Sequence, residues 1–441
     1  MTTGRLLTFY GDDFTGSVDV LLQYQWFGLT GVIFLGLPSQ PELEEAARKF
    51  DVVGIAGTTR SMLPDRIRAT LRPAFERLAL LKPALVQYKV CSTADSSPTI
   101  GSFAPAFELG RELFGLHPVP FLVAQPDLKR YTVYSNHFAG DRGTIYRLDR
   151  QPVMANHPIT PMRESDLTSH LEAQLEERIG AVTLQDLHAD GGRAAYAFAD
   201  INENPAVVID ALTEPDLREA GTLIMRTALE TGTAFAVGSG GLSVAVASGL
   251  VDVRPHVEPS LLPADGPCLA VSGSCSALTD DQIAAALSAG WEGILLDPQL
   301  VASDPDSAVS ASASVAAAAI AAGRSAVVYT CGPNQLSVAH APSVEVVSRA
   351  LAQIILEVRS SAHVTRVIIC GGDTSGHVVT ALEASSLSST ARVGTYTLLL
   401  ELHSEDPRVD GLEVVLKGGQ IGERNFFELV RVGNIAGILR S

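Results

Sequence analysis

Two adjacent acids and two hydroxyl residues follow the first apolar run of the chain. Residues 9–19 read F-Y-G-D-D-F-T-G-S-V-D, which places Asp12 and Asp13 just ahead of Thr15 and Ser17. The apolar spacing on either side predicts a strand before the acids and a helix after them. Because ligands bind at the carboxyl ends of the strands in an open parallel sheet, these side chains favour a polar ligand. The alternative is that one aspartate only caps the helix while its neighbour is solvated.

Two further predicted strands of the N-terminal half end in basic and hydroxyl side chains. Arg60 comes shortly after one apolar run, Lys89 closes another, and Ser92 lies just beyond it. Helical stretches separate the runs, which is typical of βαβ units in a parallel sheet. The apolar runs are residues 6–10, 31–35, 52–56, 85–89 and 121–124, and the clearest helical stretch is 65–81. Three strand ends are therefore predicted to offer carboxylates, cations and hydroxyls at one edge of one sheet.

A stretch rich in ring and basic side chains interrupts this alternation at residues 125–161. It is too long for a simple connection, and we interpret it as an excursion that covers a pocket. Asn136 and His137 are its candidate ligand contacts. The alternative for each of its residues is an ordinary surface hairpin.

Three small-residue turns follow predicted strands in the C-terminal half. They read S-G-S-C-S at 272–276, G-G-D-T-S-G at 371–376 and K-G-G-Q-I-G at 417–422. A strand, such a turn and a helix form a workable phosphate cradle, because glycines let backbone amides turn inward and the helix N-terminus favours negative charge. Convergence of the three turns favours a nucleotide, and a tight structural turn is the alternative for each. Asp373 is a candidate for orienting a Mg²⁺-bound water or accepting a proton, unless it only caps its helix.

Length and composition predict a compact protein of two domains. Of the 441 residues 46% are hydrophobic and 18% are charged, and a proline-rich stretch without periodicity occupies residues 251–267. We predict an α/β fold with domains at 1–255 and 256–441, each a mostly parallel sheet flanked by helices, with the active site in the cleft between them. The net charge of -17 argues against binding to nucleic acid or to an anionic membrane.

The cysteines and the hydropathy pattern predict a cytoplasmic protein. The five cysteines are widely spaced, with no C-x-x-C pair and no zinc-ligand spacing, and we interpret them as reduced thiols. The N-terminal apolar segment is too short for a signal peptide, and no apolar span reaches membrane length. A polar ligand in one half and an anion cradle in the other together suggest phosphoryl transfer, in which positioning and charge neutralisation supply most of the catalysis.

Five motifs, in their order, resemble the four-carbon acid sugar kinase family. They are G-D-D-F-T-G-S-V-D, Y-K-V-C-S-T-A-D-S-S from Tyr88, V-S-G-S-C-S from Val271, C-G-G-D-T-S-G from Cys370 and L-K-G-G-Q-I-G from Leu416, spread over nearly the whole chain. The resemblance implies a sugar-acid-binding N-terminal domain, a nucleotide-binding C-terminal domain, and phosphorylation of a threonate, an erythronate or a 3-oxo-tetronate by ATP with Mg²⁺.

Two motifs depart from the common family pattern, with Tyr10 and Gly11 before the acids and K-G-G-Q in place of a frequent K-S-G. The insert at residues 146–162 resembles a subgroup that contains kinases acting on 3-oxo-isoapionate. The metal ligands stay unassigned. The candidate residues on the substrate side are Asp12, Asp13, Arg60, Lys89, Ser92, Asn136 and His137, and those on the nucleotide side are Ser272, Ser274, Gly371, Gly372, Asp373, Thr374, Ser375, Lys417, Gly418 and Gly419.

In this hypothesis Asp13, or in second place Asp12, takes the proton from the substrate hydroxyl, while Arg60 and Lys89 hold its carboxylate. The rival hypothesis is a nonenzymatic sugar-acid sensor whose glycine turns are only structural. A dehydrogenase is disfavoured because no strand is followed by G-x-G-x-x-G with an acid about 20 residues further on. The expected partner is a small sugar acid, with no nucleic acid and no membrane, and a homodimer is left open.

Overall fold

The computed structural model describes residues 6–115, 117–141, 143–250, 261–331, 343–394 and 396–433. The chain forms two compact units, Met1–His256 and Val257–Ser441. Each unit alternates strands with helices around its own buried core, and the predicted α/β class is confirmed. Within the described ranges, no helix combines the length and the apolar character needed to cross a bilayer.

The first unit is built on a parallel sheet. Its strands are β1 (Leu7–Gly11), β2 (Gly31–Phe34), β3 (Val52–Ala56), β4 (Leu85–Lys89), β5 (Val119–Leu122), β6 (Arg130–Val133), β7 (Asn136–Asp141), β8 (Thr144–Arg147), β9 (Gly180–Val182), β10 (Ala206–Ile209) and β11 (Ala234–Gly238). The parallel sheet has the order β2-β3-β1-β4-β11-β5-β10-β9, while β6, β7 and β8 form a separate antiparallel sheet. The helices are α1 (Phe14–Trp26), α2 (Gln40–Lys49), α3 (Pro64–Leu80), α4 (Ala104–Phe114), α5 (Pro152–Ala155), α6 (Leu167–Leu175), α7 (Leu184–Asp190), α8 (Arg193–Ile201), α9 (Glu214–Thr231) and α10 (Gly240–Leu250).

The central strands of this sheet are buried throughout because they are covered on both faces. Every residue of β1 and of β4 is buried, the pattern expected of a parallel sheet with helices on each side. The rings of Tyr10, Phe75 and Tyr88 pack against one another with centroids 6.2–6.3 Å apart. This aromatic cluster anchors β1 and β4 just before the points where their polar turns begin.

The second unit has a mixed sheet in the order β13-β14-β12-β15-β18-β17-β16. Neighbours from β13 to β18 are parallel, whereas β17 is antiparallel to both β18 and β16. The strands are β12 (Leu269–Ser272), β13 (Glu292–Leu295), β14 (Ala326–Tyr329), β15 (Arg366–Cys370), β16 (Ser386–Arg392), β17 (Leu398–His403) and β18 (Glu413–Lys417). The helices are α11 (Ala277–Ser288), α12 (Pro298–Ser303), α13 (Pro305–Ala321), α14 (Val344–Ser361), α15 (Gly372–Ala381) and α16 (Phe426–Val432).

Several predicted elements differ from the observed ones, as three examples show. β5 begins at Val119 rather than at residue 121, because Pro120 is accepted inside a strand whose Val119 pairs with Ala206. The sequence G-G-D-T-S-G does not form a separate turn, because α15 already begins at Gly372. The strands β16 and β17 were not predicted, since β16 is rich in serine and a register shift between Ser389 and Ala391 breaks its alternation.

Each sheet contains a switch point, where neighbouring strands send their connections in opposite directions. In the first unit the chain runs from β1 toward β2 on one side, and from β4 toward β5 on the other. In the second unit it runs from β12 toward β13, and from β15 toward the side of β18. Ligands of open α/β sheets bind in the crevice at such points. The acidic turn follows β1 and the G-G-D-T-S-G motif follows β15, so both candidate motifs lie where the topology favours a ligand.

Substituting Gly221 with alanine should destabilise the first unit. A Cβ at Gly221 would lie 1.8 Å from the carbonyl oxygen of Ala245, so α9 and α10 would have to separate. Overpacking of this kind costs about 1–3 kcal/mol, which exceeds the gain of roughly 1 kcal/mol from replacing a helical glycine. Urea unfolding followed by circular dichroism should show a lower midpoint. Gly36→Ala is the matched control, because its Cβ would meet nothing within 4 Å, and an equal loss in both variants would contradict the packing explanation.

Candidate functional site

A buried ion pair joins the turn after β1 to the turn after β3. The Nε and Nη2 atoms of Arg60 donate to the two carboxylate oxygens of Asp12 over 3.0 and 2.8 Å. Asp12 is 1% exposed. Burial raises the pKa of the Asp12 carboxyl, and the guanidinium of Arg60 opposes that rise. Since both of its oxygens are engaged in a bidentate contact, Asp12 serves to orient Arg60.

Asp13 lies beside this pair and is the more accessible acid. Its Oδ2 accepts a hydrogen bond from Nη1 of Arg60 over 2.9 Å, and its Oδ1 accepts one from the amide of Gly16 over 2.8 Å. The second contact makes Asp13 the N-cap of α1, so the capping alternative is correct for this residue. The side chain is nevertheless 29% exposed, against 2% for Asp12. A ligand hydroxyl can therefore reach Asp13 more readily than Asp12.

The acidic turn needs a glycine where β1 ends. The hydroxyl of Ser17 donates to the carbonyl oxygen of Asp13 over 2.7 Å. A Cβ at Gly11 would lie 2.0 Å from that hydroxyl oxygen. The departure from the common family pattern at Gly11 therefore has a local reason. A residue without a Cβ makes room for the side chain of Ser17, which tightens the turn.

Lys89 brings an incompletely paired ammonium group to the same turn. Its Nζ donates to the carbonyl of Val90 over 3.0 Å and lies 3.9 Å from Oδ2 of Asp19. The residue is 3% exposed, yet an ammonium group has three hydrogens to donate. A Cβ at Gly16 would lie 2.4 Å from Oδ1 of Asp13 and 2.9 Å from Nζ of Lys89, so both groups lie against this one glycine. The structure thus brings Asp12, Asp13, Arg60 and Lys89 together, as predicted from the strand ends.

His137 supports the loop after β4. Its Nε2 donates to the carbonyl of Ser92 over 2.8 Å, and its Nδ1 contacts the hydroxyl of Thr132 over 2.9 Å. The ring is 0% exposed, and burial lowers the pKa of His137 to about 3. Both nitrogens are used within the chain, so the geometry does not support the predicted contact between His137 and a substrate. Ser92 contributes its carbonyl oxygen to this contact, and a role for its hydroxyl stays a prediction.

The side chain of Asn136 is also hydrogen-bonded within the chain. Its side-chain nitrogen donates to the carbonyl of Tyr134 over 3.2 Å, and its side-chain oxygen accepts from the hydroxyl of Ser165 over 3.1 Å. Both ends of the amide are therefore engaged inside the chain. The predicted substrate contact of Asn136 is not supported by this arrangement.

A second histidine holds the far end of the same loop. Nε2 of His170 contacts the hydroxyl of Ser96 over 2.8 Å, and the side-chain nitrogen of Gln174 donates to that hydroxyl over 3.0 Å. Burial lowers the pKa of His170 to about 4. The hydroxyl of Ser96 in turn donates to the carbonyl of Ala94, a residue with positive φ of 52°. Two neutral histidines therefore fix the loop that follows Lys89.

In the second unit, hydroxyl groups hold the turn after β12. The amide of Ser274 donates to Oγ of Ser272 over 3.3 Å, and Oγ of Ser274 contacts Oγ1 of Thr279 over 3.1 Å. Ser276 caps α11 by accepting from the amide of Thr279, and Oγ1 of Thr279 donates to the carbonyl of Gly419 over 3.2 Å. This network connects the turn after β12 to the turn after β18. Sequence reasoning missed Thr279, which the spacing S-x-x-T from a helix cap could have indicated.

Lys417 points into this network. Its Nζ donates to Oγ1 of Thr279 over 3.2 Å and to the carbonyl of Gly418 over 3.0 Å. The side chain is 0% exposed, and burial lowers the pKa of its ammonium. The geometry therefore makes Lys417 a residue that positions the turns, and it does not support the predicted direct contact with a nucleotide. Gly419 remains close to the cradle, since a Cβ there would lie 2.9 Å from Oγ of Ser274.

The N-terminus of α15 supplies the predicted anion cradle. Gly371 precedes the helix with φ +118° and gives it no side-chain cap. A Cβ at either Gly371 or Gly273 would lie 2.7 Å from Oγ1 of Thr374, so both glycines let this side chain approach. Ser375 donates to the carbonyl of Gly371 over 2.7 Å. The first amides of a helix have no partner within it, and here no side chain caps them, so an anion is favoured at this end.

Asp373 is an accessible carboxylate at this helix N-terminus. It is exposed, in the first turn of α15 beside Gly372. Mg²⁺ usually takes one or two carboxylates together with substrate phosphates and water, and Asp373 is of the type that would fit. Over the described ranges, no group of three or more His, Cys, Asp or Glu side chains is arranged to hold a metal.

The prediction that all five cysteines are reduced is wrong for two of them. Cys275 and Cys331 form a disulfide with their Cα atoms 5.2 Å apart, while Cys91, Cys268 and Cys370 are free. The cause is the parallel pairing of β12 with β14, which brings the residues after both strands to the same edge. A sequence separation of 56 residues concealed this pairing. The disulfide lies within the S-G-S-C-S turn, directly beside two of the hydroxyl groups described above.

Two known domains match this chain. A sugar-binding N-terminal domain matches residues 7–246, and a nucleotide-binding C-terminal domain matches residues 269–427. Together with the charged turn in one unit and the anion cradle in the other, they define a phosphotransferase with an alcohol group as acceptor. The chain belongs to the four-carbon acid sugar kinase family.

Proteins of related sequence cover nearly the whole chain. It is 37% identical to the 3-oxo-isoapionate kinase of Paraburkholderia graminis, over 98% of this chain and 96% of that one. It is 28% identical to the 3-oxo-tetronate kinase of Methylobacterium radiotolerans, over 94% and 96% of the two chains. A crystal structure of a Haemophilus influenzae protein has the same fold, with a TM-score of 0.77, 22% identity, and 96% of this chain and 99% of that one covered.

The free energy of unfolding should fall as the pH drops below about 6.5. The pKa of His137 is near 3 in the folded chain and near 6.5 in an unfolded one, so the unfolded state binds more protons in this window. The contribution of His137 is fully present above pH 6.5 and decreases by about 2 kcal/mol by pH 5. Urea unfolding from pH 7 to pH 5 should give a smaller slope in His137→Gln. His363→Gln changes an exposed histidine and should keep the wild-type slope, and equal slopes in all three proteins would contradict the assignment.

Proposed function

We propose that this chain transfers the γ-phosphoryl group of ATP to a hydroxyl of a small sugar acid, with 3-oxo-isoapionate as the first candidate and the 3-oxo-tetronates as the second. The order follows the identities of 37% and 28% to kinases named for these acids. In this proposal residues 1–255 bind the acid and residues 256–441 bind the nucleotide. The proposal includes a cytoplasmic location and a homodimer.

The observation that carries the proposal is the different state of the two adjacent aspartates. Asp12 is buried with both oxygens on Arg60, whereas Asp13 keeps an exposed edge. We assign proton acceptance to Asp13, at the oxygen that faces the substrate hydroxyl when the acid is bound. Asp12 then acts through Arg60, which holds the Asp13 carboxylate in place. General-base assistance by a positioned carboxylate contributes about 100- to 10,000-fold.

The substrate carboxylate needs a cation that is not already neutralised. Three donor positions of Arg60 are occupied by the two aspartates, which leaves Lys89 as the better candidate of the predicted pair. Its ammonium donates to the carbonyl of Val90 and lies 3.9 Å from Oδ2 of Asp19, which leaves donor capacity for a ligand. In the proposal Lys89 binds an oxygen of the acid, and Arg60 sets the electrostatic field in which the hydroxyl loses its proton.

On the nucleotide side, the amides at the start of α15 would hold phosphate oxygens beside Gly371 and Thr374. Ser272, Ser274 and Gly419 would shape the adjacent turn, whose form Lys417 maintains from inside. Bound Mg²⁺ would neutralise phosphate charge, and Asp373 is the residue we propose for its side of the site.

The reaction is tested by measuring ADP release with a panel of acceptors. With ATP and Mg²⁺, 3-oxo-isoapionate, 3-oxo-tetronates, threonates and erythronates should give turnover, with the largest kcat/KM among the 3-oxo acids. A reaction without acceptor sets the background hydrolysis of ATP. Release of ADP with unrelated alcohols and with none of these acids would overturn the substrate class.

Replacing Asp13 with asparagine should lower kcat by at least about 100-fold. Asparagine caps a helix about as well as aspartate, so the unfolding midpoint and ATP affinity measured by calorimetry should stay at the wild-type values. Asp304→Asn is the matched control, because Asp304 caps α13 in the same manner and has no place in the proposed chemistry. Loss of ATP binding in Asp13→Asn, with normal folding, would show that Asp13 serves the nucleotide instead.

A further inference from the structure

Arg130, the first residue of β6, carries a guanidinium group that forms no ion pair with a carboxylate of the described residues. Its Nη1 donates to the carbonyl of Gly140 over 3.0 Å and, at longer range, to two carbonyls of its own turn. Its Nε is buried without a hydrogen-bond partner, and its Nη2 has none in the part of the chain that the structure describes. Asp95 and Asp141 lie near enough to act on its charge, but neither forms an ion pair with it. A partly buried cation in this state is unfavourable unless a partner arrives.

The open side of Arg130 is the side that binds carboxylates. Carboxylates commonly pair with a guanidinium through two parallel N–H donors, and Arg60 shows this within the same unit. In Arg60 the Nε and Nη2 atoms both donate to Asp12. In Arg130 the same two atoms lack partners, while Nη1 is fixed by backbone carbonyls. The guanidinium is thus held in orientation with its bidentate edge unfilled.

Arg130 lies near the carboxyl ends of the strands in the sheet that carries the acidic turn. Its backbone pairs with that of Gln125 through two hydrogen bonds of 2.9 and 3.1 Å, just beyond the end of β5. Residues opposite each other in such a bridge place their side chains on one face. The charges of Arg130 and of Arg60 both act on Cys91, which follows β4 two positions after Lys89. The loop after β4 is therefore near both arginines.

Gln125 adds a second donor without a partner. It is 1% exposed, and its side-chain nitrogen forms no hydrogen bond of normal geometry even though Asp127 lies close to it. A Cβ at Gly240 would lie 3.0 Å from this nitrogen and 2.2 Å from Oδ2 of Asp19. The amide is therefore next to the carboxylate that faces Lys89. Unpartnered donors at buried positions indicate a ligand or water that supplies the acceptor.

We propose that Arg130 is the principal anchor of the substrate carboxylate, which it binds through its Nε–Nη2 edge, and that Gln125 donates to a neighbouring oxygen of the same substrate. This inference rests on the proposed sugar acid kinase function and names the residue that recognises the acid. Lys89 then adds a second contact to an oxygen of the acid, as in the proposed function, and Asp13 faces the reacting hydroxyl.

The test compares Arg130→Met with Arg147→Met, a control that removes an exposed arginine from the same three-stranded sheet. Each protein is assayed with the best acid of the panel and with its primary amide, which has the same shape without the charge. Loss of a charge-assisted contact should raise KM for the acid roughly 10- to 100-fold in Arg130→Met. KM for ATP should not change, and the preference for acid over amide should disappear. Arg147→Met should match the wild-type protein in all of these values.

An unchanged KM for the acid in a folded Arg130→Met protein, with its preference over the amide intact, would overturn the inference and leave the proposed function standing. If Arg130→Met does not fold, Arg130→Lys decides, because lysine keeps the charge without the bidentate edge, and an unchanged KM there also overturns the inference. Absence of turnover in the wild-type protein overturns the proposed function. In that case, calorimetry with the same acids decides the inference. Equal affinity of the wild-type and Arg130→Met proteins for the acids would overturn it, whereas binding of the acids that is lost only in Arg130→Met would support it.

Discussion

The ion pair between Asp12 and Arg60 is the interaction on which the acidic site depends. Taking two charges out of water costs several kcal/mol for each ion unless geometry and further hydrogen bonds compensate. Here the sheet supplies the geometry, because the amide of Arg60 also donates to the carbonyl of Asp12 and joins the two turns through their backbones. The Nη1 group of the guanidinium also donates to Asp13, which remains accessible. Burial of one acid is thus what keeps its neighbour both oriented and reachable.

The two units place their candidate sites at equivalent points of their sheets and hold them by different means. In the first unit, charged side chains do the positioning, and neutral buried histidines at His137 and His170 fix the loop that follows. In the second unit, hydroxyl groups connect the turns, and the ammonium of Lys417 is turned inward among them. The difference suits the ligands proposed for each unit. A hydroxy acid needs matched charges, whereas phosphate oxygens are well served by amides and hydroxyl groups.

The sequence predicted the parts of the fold that depend on local pattern. The runs that form β3 and β4 were identified residue for residue, because buried parallel strands leave a nearly continuous apolar signal. It also identified the acidic turn and the glycine turn, whose residue types are specific. It did not predict which polar groups would form hydrogen bonds within the chain and so be unavailable to a ligand. The side chains of Asn136, His137 and Lys417 are of types that bind ligands, but they are hydrogen-bonded within the chain. The disulfide between Cys275 and Cys331 likewise depends on the tertiary structure.

Because Lys89 and Lys417 are buried, the lysine side chains that a reagent in solvent can reach all belong to the first unit. The chain has five lysines, and the other three, Lys49, Lys82 and Lys129, are exposed and all belong to the first unit. Lys417 is the lysine of the second unit, and its ammonium is shielded. An amine-directed dye or crosslinker applied to the folded protein would therefore mark Lys49, Lys82 and Lys129 and leave Lys89 and Lys417 unmarked. Acylation of Lys417 would then report the opening of the second unit, which makes this residue a built-in probe of its unfolding.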